Sequence, residues 1–142
     1  MNEWWSTPTD IAQVGADLRA VRKLIARLDH WTTGAFARDI MGKPVSATNP
    51  GARSFCLIGA CQSVARDSNS FREYNRRYNQ MTTVLANELA GMHVILGLAD
   101  YNDYGTLDVG HNNVLLLIDR ALKSADDKLA YVGGGSKNEP AS

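Results

Sequence analysis

Cysteine is scarce in this chain, and that scarcity limits the kinds of protein it can be. The 142 residues include two cysteines, Cys56 and Cys61, which are too few for a scaffold held by disulfide bonds. In a helix, positions five apart point in different directions, so a bridge between these two is not expected. Reduced thiols are typical of a cytoplasmic protein, which is the compartment we predict.

An excess of charge of either sign is also missing. The 15 lysine and arginine residues balance 15 aspartate and glutamate residues, which gives a formal net charge of zero. A protein dedicated to duplex DNA usually carries a basic excess, because counterion release supplies most of its affinity. Nucleic acid is therefore not an expected partner. Balanced charge also removes a barrier to self-association, so the sequence is compatible with a homo-oligomer.

Long apolar runs and familiar catalytic motifs are absent as well. No apolar stretch approaches the roughly 20 residues that a membrane helix needs, so no membrane association is predicted. Residues 1–6 lack the basic and apolar regions of a secretory signal. The chain has no phosphate loop, no dinucleotide-binding or hydrolase glycine motif and no His-Glu-x-x-His spacing. No cofactor and no metal are predicted.

What the sequence does contain is apolar residues at helical spacing. Between residues 11 and 28 they recur at steps of three and four, which predicts one amphipathic helix ending near residues 29–30. Thr7 is suited to cap its first turn. Ser70 followed three residues later by Glu73 forms a capping box and marks the start of another helix.

Two further apolar segments complete the predicted core. Residues 54–65 are apolar and rich in small side chains, which predicts a central buried helix. Gly59 is costly inside a helix, so it indicates a tight helix crossing or a ligand contact. Thr106 or Asp108 is expected to cap the last helix. We therefore predict an all-α fold, a compact orthogonal bundle of four to six helices over residues 1–132, with a disordered tail over 133–142.

The segment 31–39 is larger than a turn between helices requires, and it carries the first candidate site. Its Trp31 is expected to fold back against the core. Arg38 and Asp39 follow small and aromatic residues, which suggests partial burial. A buried arginine needs a carboxylate partner, so Arg38 is expected to form a salt bridge. The functional reading is a guanidinium that faces a phosphate or carboxylate ligand.

The second candidate site is the turn that contains Tyr101, Asn102 and Asp103. Asn and Asp side chains in turns commonly bond their own backbone. The alternative is a carboxylate and an amide placed between helices, close to Arg38 in space. The sequence shows no spacing of residues typical of a catalytic site near these polar residues. The leading hypothesis is therefore a non-enzymatic binding or interaction module. Its predicted partner is a protein or a small anionic ligand.

A competing hypothesis is a small hydrolase or transferase that uses Cys56 or Asp103 together with His111. A catalytic cysteine needs a nearby base and a lowered pKa, and His111 is the best histidine for that role. A further hypothesis is a metal or acid–base site formed by Asp39, Asp103 and His111, although no ligand spacing specifies one. A buried cysteine that behaves as a small apolar residue is the favoured interpretation of Cys56.

A third hypothesis comes from basic residues that alternate with aromatic ones after residue 70. Arginines beside tyrosines can hold phosphates while the rings stack on bases. The rings here fall on the apolar stripe, however, and are expected to face the core. Those rings are Phe71, Tyr74 and Tyr78, and the arginines left for a basic patch are Arg72, Arg76 and Arg77.

Three segments together resemble a family of small uncharacterised domains from bacteria and their phages, a domain of unknown function of the 6197 type. The segments are 31–39, 55–60, and 101–103 followed by 114–115 and 121–122. The family pattern has a tryptophan near Cys56 and another before the Asn-Asp pair, where Phe55 and Tyr101 keep the aromatic character. The resemblance implies a mostly helical fold and no known activity. The leading hypothesis of a binding module includes an accessory protein of phage or prophage origin. The residues that the resemblance marks for testing together are Arg38, Asp39, Cys56, Gly59, Asn102 and Asp103.

Overall fold

Helices make up most of the fold, as predicted. The computed structural model describes residues 7–134, so residues 1–6 and the predicted tail beyond residue 134 lie outside the described part. Within that part the chain forms five α-helices: α1 (Pro8–Leu24), α2 (Leu57–Ala65), α3 (Phe71–Gly91), α4 (Leu98–Asp103) and α5 (Leu107–Leu129). A 3₁₀ turn (Leu28–His30) follows α1, and a π-helical turn (Ala130–Gly134) follows α5.

A small β-sheet interrupts the helices, so the prediction of a strictly all-α domain is wrong in this respect. The strands are β1 (Ala37–Arg38), β2 (Pro44–Val45) and β3 (Ser54–Phe55), and they pair antiparallel in the order β2-β1-β3. Residues 45–54 thus begin and end in strands, and the central helix starts at Leu57 rather than at residue 54. Strands of two residues are too short to show the alternation that identifies a strand in a sequence.

The two predicted helix starts are confirmed. The Thr7 hydroxyl accepts a hydrogen bond from the Asp10 amide at 3.0 Å. Ser70 accepts one from the Glu73 amide at 3.1 Å, while Glu73 accepts one from the Asn69 amide at 2.7 Å. These contacts satisfy amides that a helix leaves without partners at its first turn.

The core lies where α1 packs along α5, with α2 and α3 closing it from the sides. Two ion pairs, Arg19–Asp126 at 2.8 Å and Arg22–Asp119 at 2.6 Å, join the exposed edges of α1 and α5. None of the helices in residues 7–134 is both long and apolar enough to cross a membrane. The largest side chains with almost no exposed surface include Ile11, Leu18, Ile25, Leu57, Met81, Leu85, Leu117 and Ile118.

The close contact predicted at Gly59 is present, but a loop makes it rather than a crossing helix. A Cβ atom at Gly59 would lie 1.9 Å from the carbonyl oxygen of Phe36, which no side chain allows. The same oxygen accepts a hydrogen bond from the Cys56 amide at 3.1 Å. Gly59 therefore lets the backbone before β1 sit directly on the first turn of α2.

The start of α3 differs from the prediction in two ways. Phe71, expected in the core, is 77% exposed, because the helix begins before its apolar stripe reaches the other helices. Arg77, expected in a basic patch, is buried and pairs with the buried Asp17 at 2.7 Å. Tyr74 and Tyr78 on this stripe pack against the core in part, and the fully buried apolar positions of the helix are Met81, Val84, Leu85 and Leu89.

Candidate functional site

Residues 101–103, predicted as a turn, form the end of helix α4. They meet the segment 31–39, here called the tryptophan segment, through one buried amide. Asn102 has no exposed surface, and its Oδ1 accepts hydrogen bonds from Trp31 Nε1 at 2.7 Å and from the Leu57 amide at 2.9 Å. Its Nδ2 donates to the Thr32 carbonyl at 3.1 Å and to Asp103 Oδ1 at 2.8 Å. All four hydrogen-bonding positions of the amide are thus used. The expectation that Trp31 folds onto the core is confirmed, since the ring is 4% exposed.

Arg38 has no carboxylate partner within residues 7–134, so the expected salt bridge is wrong. Its Nε donates to Thr32 Oγ1 at 2.9 Å, and its Nη2 donates to the Thr33 carbonyl at 3.0 Å. Its Nη1 donates to the Gly42 carbonyl at 3.1 Å. Backbone carbonyls of the neighbouring loop take the place of a counterion here, because the half-buried guanidinium lies across its own segment. Arg38 therefore stabilises the shape of the loop.

Asp39 forms the turn between β1 and β2. Its Oδ1 accepts hydrogen bonds from the amides of Met41 and Lys43, both at 2.9 Å. Gly42 in the same turn has a φ of 81°, in the left-handed region that favours glycine. Side chains of this type commonly replace backbone partners in turns, and Asp39 is engaged in this way rather than with Arg38.

Asp103 faces a pocket between the tryptophan segment and α4, here called the Asp103 pocket. Its volume is about 290 Å³, and it is lined by Gly34, Ala35, Phe36, Cys56, Ala99 and Asp103. The Gly34 amide lies 3.3 Å from both carboxylate oxygens, and the Asn102 amide fixes one of them. Within residues 7–134 no cation pairs with this carboxylate. The pocket thus combines mostly apolar walls with one uncompensated negative charge.

Tyr101 faces a different cavity, so the five predicted site residues do not form one site. That cavity lies between α4 and α5, has a volume of about 520 Å³ and includes Leu116 and Arg120 in its lining. Burial raises the pKa of the Tyr101 hydroxyl, and the positive charge of Arg120 opposes that rise. Asn102 and Asp103 are brought together with the tryptophan segment, while Arg38 and Asp39 are engaged within their own loop and hairpin turn.

The geometry gives no support to an enzyme that pairs Cys56 with His111. His111 Nε2 lies 2.7 Å from the Ile25 carbonyl, and a carbonyl only accepts, so this nitrogen carries the proton. Cys56 caps α2, and its Sγ accepts a hydrogen bond from the Gly59 amide at 3.3 Å. Within the described residues, no cluster of three or more His, Cys, Asp or Glu side chains is arranged to hold a metal ion.

The Cys56 thiol is expected to react slowly with alkylating reagents in the folded protein. Burial raises the pKa of this thiol, and the negative charge of Asp103 raises it further, so little thiolate exists at neutral pH. Iodoacetamide at pH 7.5 should therefore alkylate Cys56 in the native protein more slowly than it alkylates a free cysteine, as measured by mass spectrometry. Asp103→Asn removes the negative charge, lowers the pKa and should speed the reaction. A wild-type rate equal to that of free cysteine would restore the enzyme hypothesis.

The apolar walls of the Asp103 pocket were missed by sequence reasoning. Ala35, Phe36 and Ala99 have no reactive or charged groups, and Ala99 lies some 60 residues from the other two along the chain. The signal that was available in the sequence is Phe36 itself, an aromatic residue between two alanines. In the structure it is 52% exposed. Aromatic residues are enriched at protein contact surfaces.

Comparisons with known proteins place the chain in a family without adding an activity. No curated protein and no solved structure matches the chain. A family model matches residues 9–124, which include α1 apart from its first residue, α2 to α4, the sheet, the Asp103 pocket and most of α5. This confirms the resemblance inferred from the tryptophan, cysteine and Asn-Asp segments. The chain belongs to DUF6197, a family of unknown function.

Proposed function

We propose that the chain is a non-enzymatic binding module whose Asp103 pocket receives a basic side chain of a partner protein. The observation that carries the proposal is the Asp103 carboxylate, which faces the pocket without a cation within residues 7–134. A carboxylate beside apolar surface favours a partner that supplies a positive charge on an aliphatic stem, as lysine and arginine do. Of the two predicted partners, a protein is therefore favoured over a small anion, which Asp103 would repel.

The carboxylate is held in place before any partner arrives. Asn102 donates to Asp103 Oδ1 at 2.8 Å, and Asn102 is itself fixed by Trp31 and Leu57. Oδ2 has only the longer contact to the Gly34 amide at 3.3 Å, which leaves it able to accept a strong hydrogen bond. A preorganised acceptor of this kind loses little conformational freedom on binding, and this favours affinity.

The rim of the pocket matches the stem and the head of a basic side chain. Ala35 and Ala99 offer small apolar surfaces beside the carboxylate, and Phe36 presents a half-exposed ring. A guanidinium can lie over such a ring while it donates to a carboxylate, because the face of an aromatic ring attracts cations. Arginine is the side chain that satisfies both contacts together.

The proposal predicts that small mimics of basic side chains bind the pocket. Titration of the isotope-labelled protein with n-butylguanidinium should shift the amide resonances of Gly34, Ala35 and Asp103 and saturate. Asp103→Asn keeps the hydrogen-bonding shape but removes the charge. It should raise the Kd at least about tenfold, because a charged hydrogen bond contributes roughly 1.5–3 kcal/mol.

Asp100→Asn is the matched control, since Asp100 is an exposed carboxylate in the first turn of the same helix and does not line the pocket. It should leave the titration unchanged. Selection of a random peptide library against the protein should then enrich arginine or lysine, and the enrichment should disappear with Asp103→Asn. Shifts of equal size with n-butyrate, or equal losses in the two variants, would refute the proposed function.

A further inference from the structure

The first two turns of α3 carry three aromatic rings at the surface, here called the aromatic row. The rings of Phe71 and Tyr74 are 6.3 Å apart between centroids with planes 5° from parallel, and those of Tyr74 and Tyr78 are 6.1 Å apart and 2° from parallel. Phe71 is 77% exposed, and both tyrosines are partly exposed. The structure thus places Phe71 outside the core, while Tyr74 and Tyr78 pack partly against the core and expose the rest of their surface to solvent.

Polar donors run alongside the aromatic row on the same helix. Arg72 and Arg76 are four residues apart, as are Asn75 and Asn79, so each pair lies on one face of the helix. All four side chains belong to exposed residues. Within residues 7–134 Arg72 makes no ion pair, whereas Arg76 lies 3.2 Å from Asp10. One continuous face of α3 therefore presents aromatic rings, amides and guanidinium groups in neighbouring rows.

We propose that this face of α3 binds single-stranded nucleic acid, with bases on the aromatic row and phosphates at Arg72 and Arg76. Stacking on aromatic side chains beside cations that follow the backbone is the common mode for single strands. The ring spacing of about 6 Å is nearly twice the roughly 3.4 Å rise per nucleotide in a duplex strand. An extended strand can place successive bases on successive rings, and a duplex cannot.

The charge on this face predicts weak, salt-sensitive binding. Only two arginines are available, and Arg76 must leave Asp10 to bind a phosphate. Each phosphate contact adds about 0.7 to the slope of log affinity against log salt for a single strand. The zero net charge of the chain supplies no general attraction for a polyanion, so the aromatic row must contribute most of the affinity. The face is separate from the Asp103 pocket and does not depend on the function proposed for it.

The test is fluorescence anisotropy with labelled oligothymidylate, and with a duplex of the same length, over a range of salt concentrations. We expect the single strand to bind more tightly than the duplex at low salt. Phe71→Ala should weaken binding at least about fivefold, and Arg72→Ala should reduce the salt slope by about 0.7. Because both side chains are exposed, the variants should keep the wild-type circular dichroism spectrum.

Tyr104→Ala is the control, since Tyr104 is a 64% exposed aromatic residue outside α3. It should bind the oligonucleotide like the wild type, and so should Asp103→Asn. The proposal is overturned if the wild type fails to bind at low salt, if duplex binds as tightly as single strand, or if Phe71→Ala and Tyr104→Ala have the same effect.

Discussion

Asn102→Ala is expected to lower the free energy of unfolding by about 3–5 kcal/mol. The substitution leaves the Trp31 indole N–H and the Leu57 amide buried without an acceptor, and each orphaned donor costs roughly 1–3 kcal/mol. The Thr32 carbonyl also loses its donor. Single domains are stable by only about 5–15 kcal/mol in total, so this change removes a large fraction of the stability. Urea unfolding followed by circular dichroism measures it.

Two further variants separate lost hydrogen bonds from lost volume. Asn102→Leu fills most of the space but restores no acceptor, so we expect it to be about as destabilising as Asn102→Ala. Asn112→Ala, at an exposed position of α5, should change stability by less than about 0.5 kcal/mol. If Asn102→Leu were as stable as the wild type, the amide would be filling space and the hydrogen-bond argument would fail.

Arg77→Met should also cost about 3–5 kcal/mol, because it breaks a buried ion pair and leaves one charge behind. Arg77 binds Asp17 through two contacts, Nε to Oδ2 at 3.0 Å and Nη2 to Oδ1 at 2.7 Å. It also donates to the Asp67 carbonyl and to Ser68 Oγ, so it joins α1 to the end of α2 and to α3. In the variant Asp17, which is 3% exposed, retains only Gln13 as a described side-chain donor.

The neighbouring residue supplies the control for this prediction. Arg76→Ala breaks an ion pair with Asp10 on the protein surface, and such pairs contribute at most about 1 kcal/mol. The double variant Asp17→Leu with Arg77→Met removes both charges and should recover part of the stability that Arg77→Met loses. Equal midpoints of urea unfolding for Arg77→Met and Arg76→Ala would contradict the role given to the buried pair.

The helices could be predicted because their signals lie within a few residues of each other. Ser70 and Glu73 are three residues apart and cap the same helical turn, so the start of α3 is determined by residues that are close in sequence. The end of α1 was harder to predict. The apolar spacing continues to Leu28, but the helix ends at Leu24, and Leu28 is 43% exposed. Periodicity alone does not distinguish a helix from a 3₁₀ turn that happens to follow it.

The candidate site was predicted only in part, and the reason is distance along the chain. Asn102 contacts Trp31 across 71 residues, and Arg77 contacts Asp17 across 60. No local pattern tells whether an arginine will meet a carboxylate, as Arg77 does, or backbone carbonyls, as Arg38 does. The residues chosen from sequence were thus informative about where polar contacts concentrate, but not about which of them face a pocket.

By itself, the amino-acid sequence determined the family resemblance, the mostly helical class and the capping of α1 and α3. Helix formation and capping depend on contacts between near neighbours in the chain. Only the tertiary structure decided that the buried Asn102 side chain links separate segments by hydrogen bonds and that Asp103 faces a pocket. The same is true of Phe71, which lies at the surface. These outcomes depend on how separate elements pack, because a side chain becomes buried, paired or free only when distant segments meet it.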